Sequence, residues 1–594
     1  MRTPTIPQTS RARWLALALI TVLAAALRLV DLGAVRLDPF YDAAVRSMGL
    51  SWHNFFFGAY EPGGSVSIDK PPVDLWLQVA SVKLLGWGST SLKLPEALAG
   101  TASVPLLYAA VRRPFGAIAG LVSALALAVL PIEVVTARSD TMDAVMMMLL
   151  VVALLMLVRA CWPIGGPETS NRSGSTAWLL GAAAALGLAF NVKLLESMVA
   201  LPGLLAIAWL GLPRDASASS TARRGRRVWQ LAAAAGVYLA IALSWLSATL
   251  LFAAHERPYA IGSTNGSAWN AAFVFNGTER LSGKTTEVGQ SLAPLAQRPE
   301  DNGRSTLTAT PPQARPPAER GGTAGRTVST STTPPPPSPT RLLARGGELP
   351  AKWLGWMALV ALLLGIAVVV SVTRAGDAEQ RVRRATAIGV FVWLLTGIVL
   401  FSAMVRLHPR YVESFTPAVA AMYGIGVAWV ANRGRRGGLV AIALVALLAI
   451  PLVASVQAVR TKTSDAGNVG ALGGEEQRLL SSYLLAHQGS ARYELAAGEA
   501  TNVASLIVRD VRPVLMLTTY NGLPFTSVAR LKRLIAAGEV RYAFLDSVCG
   551  PRAPKTVAGC APAALWVRAH GADVSLNAGL HERGVLWRLP RASA

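Results

Sequence analysis

Apolar runs of about 20 residues recur along most of this chain, and they constrain its fold more than any other feature. A helix rises about 1.5 Å per residue, so about 20 apolar residues cross the hydrocarbon core of a bilayer. Runs of that length, or close to it, lie near 14–30, 92–111, 117–132, 143–160, 177–192, 197–212, 229–253, 351–372, 386–405, 414–431 and 438–458. They amount to about eleven expected spans. In lipid every backbone N–H and C=O must find its partner within the protein, so such runs form helices. The expected class is an α-helical polytopic membrane protein. The first run follows a basic N-terminus, is long for a signal-peptide h-region and has no clear cleavage site after it, so it reads as a transmembrane helix. The run 71–87 is shorter and carries Asp74 and Lys83, so a re-entrant or juxtamembrane segment is expected there.

The placement of charge orients these spans. Lys and Arg number 56 against 33 Asp and Glu, a net charge of +23. With 71–87 not spanning, Arg112–Arg113, Arg159, Arg214–Arg227, Arg374–Arg384 and Arg433–Arg436 all fall on one side. Basic short loops lie on the cytoplasmic side, so the N-terminus is expected in the cytoplasm. Loop placement accounts for much of the charge, and no nucleic-acid partner is expected. Only 15% of residues are charged and 52% are hydrophobic, against roughly 25% charged in soluble proteins, which argues against a cytosolic enzyme. The chain's three Cys cannot build a disulfide scaffold. Cys549 and Cys560 are expected to pair outside the cytoplasm, the alternative being two unpaired thiols. Cys161 has no evident role.

Residues 1–458 therefore read as a transmembrane domain, with a first extracytoplasmic loop at 31–91. A later loop contains a stretch at about 297–340 rich in Pro, Ser, Thr, Arg and Gly. Such a composition buries too little apolar surface to fold, and a flexible insert is expected. Residues 460–594 read as an extracytoplasmic α/β domain. Strands are expected at Arg512–Leu517, Arg541–Leu545 and Gly584–Leu589, with a helix at Ser527–Ala537, an order that favours a βαβ arrangement.

Charged residues gather where the apolar runs meet the non-cytoplasmic surface. They are Asp38, Asp42, Asp69 and Lys70; then Arg138, Asp140 and Asp143; then Lys193 and Glu196; then His255–Arg257; and lastly His408, Arg410, Tyr411 and Glu413. Ionisable residues at membrane depth are costly and mark function. Any one set alone can be an interfacial side chain that snorkels to water; five sets on one side favour a site. Carboxylates serve as general bases or metal ligands, and cations hold a phosphate whose charge grows as it leaves. With apolar walls for a lipid tail, this composition suits a reaction on a lipid-linked phosphate.

The sequence resembles the GT-C type of integral membrane glycosyltransferases, nearest the bacterial aminoarabinose transferases and protein O-mannosyltransferases (glycosyltransferase family 39-like). The resemblance rests on Leu37–Met48, Ser51–Gly58, Asp69-Lys-Pro-Pro72, Leu94–Gly100, Ala137–Asp143, Asn191-Val-Lys193, Phe275-Asn-Gly277 and His408-Pro-Arg-Tyr411, an ordered series over roughly residues 14–430. It implies a polyprenyl-phosphate sugar donor, an extracytoplasmic site and inversion at the anomeric carbon. The family's first-loop acidic residue falls at Asp38. The usual Asp-Glu pair is interrupted by Pro39, so either Asp38 or Asp42 is the expected base. By the same resemblance Lys70 binds the donor phosphate beside Asp69, Asp143 with Asp140 takes the second-loop acidic position, Lys193 faces the phosphate, and His408, Arg410 and Tyr411 lie near the donor. Arg138 is a further expected phosphate clamp.

Metal dependence varies among such enzymes, so a divalent metal stays open. No nucleotide cofactor is expected, since no G-x-x-x-x-G-K-S/T or glycine-rich strand–helix junction stands out. The acceptor is expected to be a cell-envelope glycan, lipid or protein, with the insert and tail governing its access. The location is the plasma membrane, multi-pass. A transporter and a non-catalytic envelope scaffold are the rival readings. Transporters place charges near the midplane and carry internal repeats, whereas these charges sit at one face and no repeat is evident.

Overall fold

The computed structural model describes residues 10–162, 172–213, 220–282, 336–343, 349–372, 377–405, 407–467, 469–470, 472–520, 524–545 and 560–590. Residues 297–335 of the proline-rich insert, and Cys549, lie outside the described residues. Cys560 is disulfide-bonded, and Cys161 is a buried free thiol. The fold divides into two units. The first comprises Met1–Arg36, Gly86–Ala248 and Thr332–Asp465, and the second comprises Leu37–Leu85, Thr249–Ser331 and Ala466–Ala594.

In the first unit, 8 helices among the described residues are long and apolar enough to cross a membrane. The difference from about eleven apolar runs comes largely from joints. The runs 92–111 and 117–132 form one helix, Ser89–Val129, bent at Gly116 where φ is +86°, a conformation that costs glycine little and other residues much. The runs 177–192 and 197–212 are joined through a 3₁₀ turn, Leu194–Ala200. The run 229–253 divides into the helices Ser220–Ala242 and Ser244–Thr249.

A helix apolar on all sides must face either protein or lipid, and burial separates the two. The spans Pro409–Ala431 and Asp143–Cys161 are 83% and 72% buried in their most apolar stretches, so they form the centre of the bundle. Gly434–Arg460, at 22%, presents most of its surface outward. Small residues let the bundle close. On Leu201–Gly211 and Ala378–Ala403, Gly203 and Gly389 meet so closely that a Cβ on either would run into the other's carbonyl oxygen. Without a hydrophobic drive between helices in lipid, such backbone contact carries much of the association.

The second unit contains the first loop. The segment 71–87 forms only a 13-residue helix, Val73–Leu85, too short to span a bilayer. Short helices Pro39–Met48 and Trp52–Phe57 precede it. Strand β1 (Val66–Ser67) pairs in parallel with β2 (Tyr259–Ala260). The tail folds into a five-stranded sheet in the order β4-β3-β5-β7-β6. Its strands are β3 (Leu495–Ala497), β4 (Val514–Met516), β5 (Tyr542–Phe544), β6 (Ala572–Asp573) and β7 (Leu586–Arg588). Strands β4, β3 and β5 are parallel, while β7 runs antiparallel to β5 and to β6. Leu515, Leu517, Leu531, Ala543, Leu545 and Val567 are among the residues that close the core. The carboxylate of Glu61 ties the first loop to this sheet: it accepts Gly63 N–H at 2.6 Å, Ser65 N–H at 2.5 Å and Val514 N–H at 3.3 Å.

Glu494, one residue before β3, is fully buried. Burial, reinforced by neighbouring Asp510, pushes its carboxyl up to about 10. An acid whose pKa is higher folded than unfolded keeps its proton in the fold. Its cost is absent below the unfolded value of 4.5 and grows as pH rises toward about 10. At pH 7 that cost is on the order of 3 kcal/mol. Glu494→Gln is therefore expected to stabilise the tail above neutrality and to remove most of its loss of stability between pH 5 and pH 9. Pulse proteolysis of the tail in the full chain across that range reads this directly, and equal pH slopes in the variant and the parent would contradict it.

Candidate active site

The residues expected to carry chemistry divide between the two units. In the membrane unit, a core of charge forms where helices end. Asp143 opens the helix Asp143–Cys161 and Lys193 closes the helix Arg172–Lys193. The chain then turns sharply at Leu194, whose φ is +51°. That turn brings Glu196 back onto Lys193, with Nζ 3.0 Å from Oε2. The same ammonium donates a very short hydrogen bond to Asp143 Oδ1 and lies 5.1 Å from the centre of the Tyr411 ring. Lys193 is 3% exposed, and a buried ammonium needs such pairing to remain charged.

The 3₁₀ turn Pro409–Phe415 supplies the other wall. Arg410 Nη1 lies 3.4 Å from Asp465 Oδ2, and the Asp465 N–H donates to Ser139 Oγ at 3.2 Å. The His408 ring packs edge-on against Tyr411 with centroids 5.0 Å apart. Thr416 donates a very short hydrogen bond to Glu133, which is fully buried along with Glu413. Asp140 is also fully buried.

Arg138, an expected phosphate clamp, is bonded to backbone carbonyls through its Nη1. It is 1% exposed, and its Nη1 donates to the carbonyls of Leu27 at 3.2 Å, Arg28 at 3.2 Å and Val30 at 2.6 Å. These are carbonyls at the end of the helix Ser10–Leu29, which lack helical donors of their own. Arg138 thus caps that helix.

In the second unit, Asp38 and Asp42 are each 3% exposed. Asp38 precedes Pro39, the first residue of a helix, a favoured arrangement in which the side chain caps the free N–H groups. Its Oδ1 accepts Phe40 N–H at 3.0 Å, and its Oδ2 accepts Gly467 N–H at 2.8 Å. Asp42 lies one turn further on the same helix. Lys70 Nζ is 2.6 Å from Asp69 Oδ2, and Asn276 Nδ2 donates to the Asp69 carbonyl at 2.8 Å and to Oδ2 at 3.1 Å.

Within the membrane unit the structure unites Asp143, Lys193, Arg410 and Tyr411. It adds Glu196 and Asp465, which the sequence left without assigned roles. Glu196 was visible one turn beyond Lys193. Asp465 begins the tail and carried no local signal; only the return of the chain brings it to Arg410. Among the described residues no group of three His, Cys, Asp or Glu side chains is placed to hold a metal ion. The side chains described here are cations of the kind that bind phosphate and carboxylates of the kind that accept a proton.

Comparison with known proteins agrees with this composition. Residues 69–247 match the family model for dolichyl-phosphate-mannose-protein mannosyltransferase. Residues 480–570 match the C-terminal region of putative YkcB-like mannosyltransferases. The chain is similar to two putative mannosyltransferases of Bacillus subtilis. YycA is 29% identical over 430 residues and YkcB 28% over 446, each covering 66% of this chain. The matched regions span 59% and 58% of the length of these relatives. Among solved structures, apo ArnT from Cupriavidus metallidurans superposes with a TM-score of 0.57 at 16% identity, covering 98% of both chains. ArnT bound to undecaprenyl phosphate gives 0.54 at 15% identity, covering 97% of this chain and 98% of ArnT. The apo oligosaccharyltransferase of Archaeoglobus fulgidus gives 0.55 at 12% identity, covering 95% of this chain and 73% of its own. At these identities the likeness is one of fold.

Proposed function

We propose that this chain, which is similar to integral, multi-pass membrane glycosyltransferases of the GT-C type, moves a sugar from a polyprenyl-phosphate donor to a cell-envelope acceptor, with inversion, at the extracytoplasmic face of the plasma membrane. The observation that carries this reading is Lys193, an ammonium buried at the end of a membrane helix and held by Asp143 and Glu196 beside Tyr411. A buried cation paired with carboxylates suits a phosphate group, whose oxygens can take a partner's place without leaving the charge bare. Arg410, on the turn that also carries Tyr411, supplies a second cation. The family resemblance adds Lys70, which is paired with Asp69, as a further donor-binding residue.

The acceptor hydroxyl attacks the anomeric carbon as the bond from that carbon to the phosphate oxygen breaks. The electron pair leaves with the polyprenyl phosphate, whose growing charge the cations stabilise. The acceptor proton passes to the carboxylate of Asp38 or Asp42. The N-terminus lies in the cytoplasm and the tail outside, as the one-sided Arg clusters support. ArnT has been solved with undecaprenyl phosphate, which supports the donor class, and the Bacillus relatives put mannose first among candidate sugars.

The test is transfer by the full chain in nanodiscs from a panel of radiolabelled polyprenyl-phosphate sugars to an envelope fraction. Label appearing in the acceptor from one donor supports the reading and identifies the sugar. A panel without turnover or donor binding would favour the scaffold.

A further inference from the structure

The end of the membrane unit away from Lys193 carries an arrangement that sugar transfer does not use. Asp143 opens the helix Asp143–Cys161 and Arg159 stands in its last turn, so about 24 Å of helix separates them. Contacts join Arg159 to the ends of three other helices. Arg112 and Arg113 stand at the elbow of Ser89–Val129, just before Gly116. A Cβ on Gly120 would meet the Arg112 Cβ at 3.0 Å, so the chain doubles back directly after the arginine pair. The Arg112 guanidinium lies over the Trp14 ring at 5.6 Å and over the Tyr108 ring at 5.7 Å. Arg113 lies over Trp162 at 5.8 Å. Trp162 N–H donates to Arg159 O at 3.2 Å, and the Arg159 guanidinium lies over Trp178 at 4.8 Å. Arginines and aromatic rings thus alternate along one ribbon.

Each of these guanidiniums rests on a ring. Among the described residues, none of the three pairs with a carboxylate or spends a side-chain N–H on a hydrogen bond. A cation–π contact engages the flat face of a guanidinium and leaves the N–H donors along its edge for an oxygen anion. Arg112 and Arg113 are exposed and Arg159 is half-buried, so those edges are open to a ligand. Like charges along one ribbon repel, and a bound anion relieves the repulsion. A side chain that only snorkels to water needs no ring beneath it; the rings hold these arginines in place before any anion arrives.

The depth of the ribbon identifies the anion. Trp14 begins the first apolar run, Arg112 and Arg113 separate two runs, Trp162 follows the end of another, and Trp178 lies near the start of the next. Trp and Arg at the ends of apolar runs sit at the level of the lipid headgroups, where acidic phospholipids present their phosphates. We propose that Arg112, Arg113 and Arg159 form a binding site for the phosphodiester headgroup of an anionic phospholipid, in the leaflet away from the candidate active site. The site does not depend on the sugar-transfer reading.

The test uses the full chain with phosphatidylglycerol as the probe. Native mass spectrometry compares retention of this lipid with that of phosphatidylcholine, and melting temperature is read in phosphatidylcholine nanodiscs with and without phosphatidylglycerol. Wild type is expected to retain phosphatidylglycerol selectively and to melt higher in its presence. Arg113→Gln and Arg159→Gln should each weaken retention by roughly 10-fold or more, the size of a hydrogen bond between charged groups. Arg113→Lys keeps the charge but loses the fork and the flat face, so it should also weaken retention. All three variants should melt with the parent in phosphatidylcholine alone and lose the gain from phosphatidylglycerol, which separates a lost ligand from a damaged fold. Arg435→Gln/Arg436→Gln removes two exposed arginines outside the ribbon and should retain the lipid as wild type does. Equal losses in that pair and in the ribbon variants would reduce the effect to diffuse attraction and overturn the site. Full retention by Arg113→Gln and Arg159→Gln would overturn it too, as would inorganic phosphate raising the melting temperature as far as the lipid. None of these readouts needs a sugar donor, so a transfer assay without turnover would sink the transfer reading and leave this result standing.

Discussion

Lys193→Met is expected to abolish sugar transfer, with kcat/KM lower by at least roughly 10³-fold, a loss typical of removing a preorganised charge from a developing anion. The side chain is nearly isosteric, so the change deletes charge more than volume. It also leaves Asp143 and Glu196 buried beside no ammonium. Stranding a buried partner costs about 3–5 kcal/mol, so the single variant is expected to accumulate poorly. The double variant Lys193→Met/Asp143→Asn removes the stranded charge on the most buried partner. It should recover protein level and melting temperature without recovering transfer or donor binding. That split separates an anion-binding lysine from a structural one. If the double variant transfers sugar at the parental rate, the phosphate is held elsewhere.

Asp38→Asn is expected to lower kcat by about 10²–10⁴-fold, the range for loss of a general base, with little change in donor KM. Asparagine is as good a helix N-cap as aspartate, so the bond to Phe40 N–H can persist. The second bond, to Gly467 N–H, is lost if the amide presents its NH2 there, a cost of about 1 kcal/mol. Asp42→Asn is the companion measurement. Asp42 is equally buried and one helical turn away. A large kcat loss at Asp38 with a small one at Asp42 assigns the base to Asp38, and the reverse assigns it to Asp42. Near-parental rates in both variants would remove the first-loop carboxylates from the proton transfer.

Much of the architecture was legible because membrane helices obey a local rule. Each apolar run must satisfy its own backbone, so run length alone marks Asp143–Cys161 or Ala378–Ala403. Which runs fuse was not legible. The helix Ser89–Val129 continues past three prolines and bends at Gly116, because packing against neighbouring helices decides whether a break in apolarity becomes a loop. In the tail, β4, β5 and β7 lie inside the expected strand segments, but β3, which the parallel strands flank, was missed. Its residues, Leu495-Ala-Ala497, have low strand propensity and form a strand because they pair on both sides.

For the candidate site, composition and position determined the residue types to expect: carboxylates, lysines and arginines at helix ends, where burying them is costly. Pairing was decided by tertiary structure alone. Lys193 meets Asp143 across 50 residues, Arg410 meets Asp465, and Arg138 is drawn to the carbonyls that end the helix Ser10–Leu29. Coulomb energy in a buried setting depends on distance and desolvation, and neither is encoded in the spacing of residues along the chain. The sequence by itself thus specified a polytopic helical protein with charged residues at the ends of its apolar runs; the fold decided which of those charges neutralise one another.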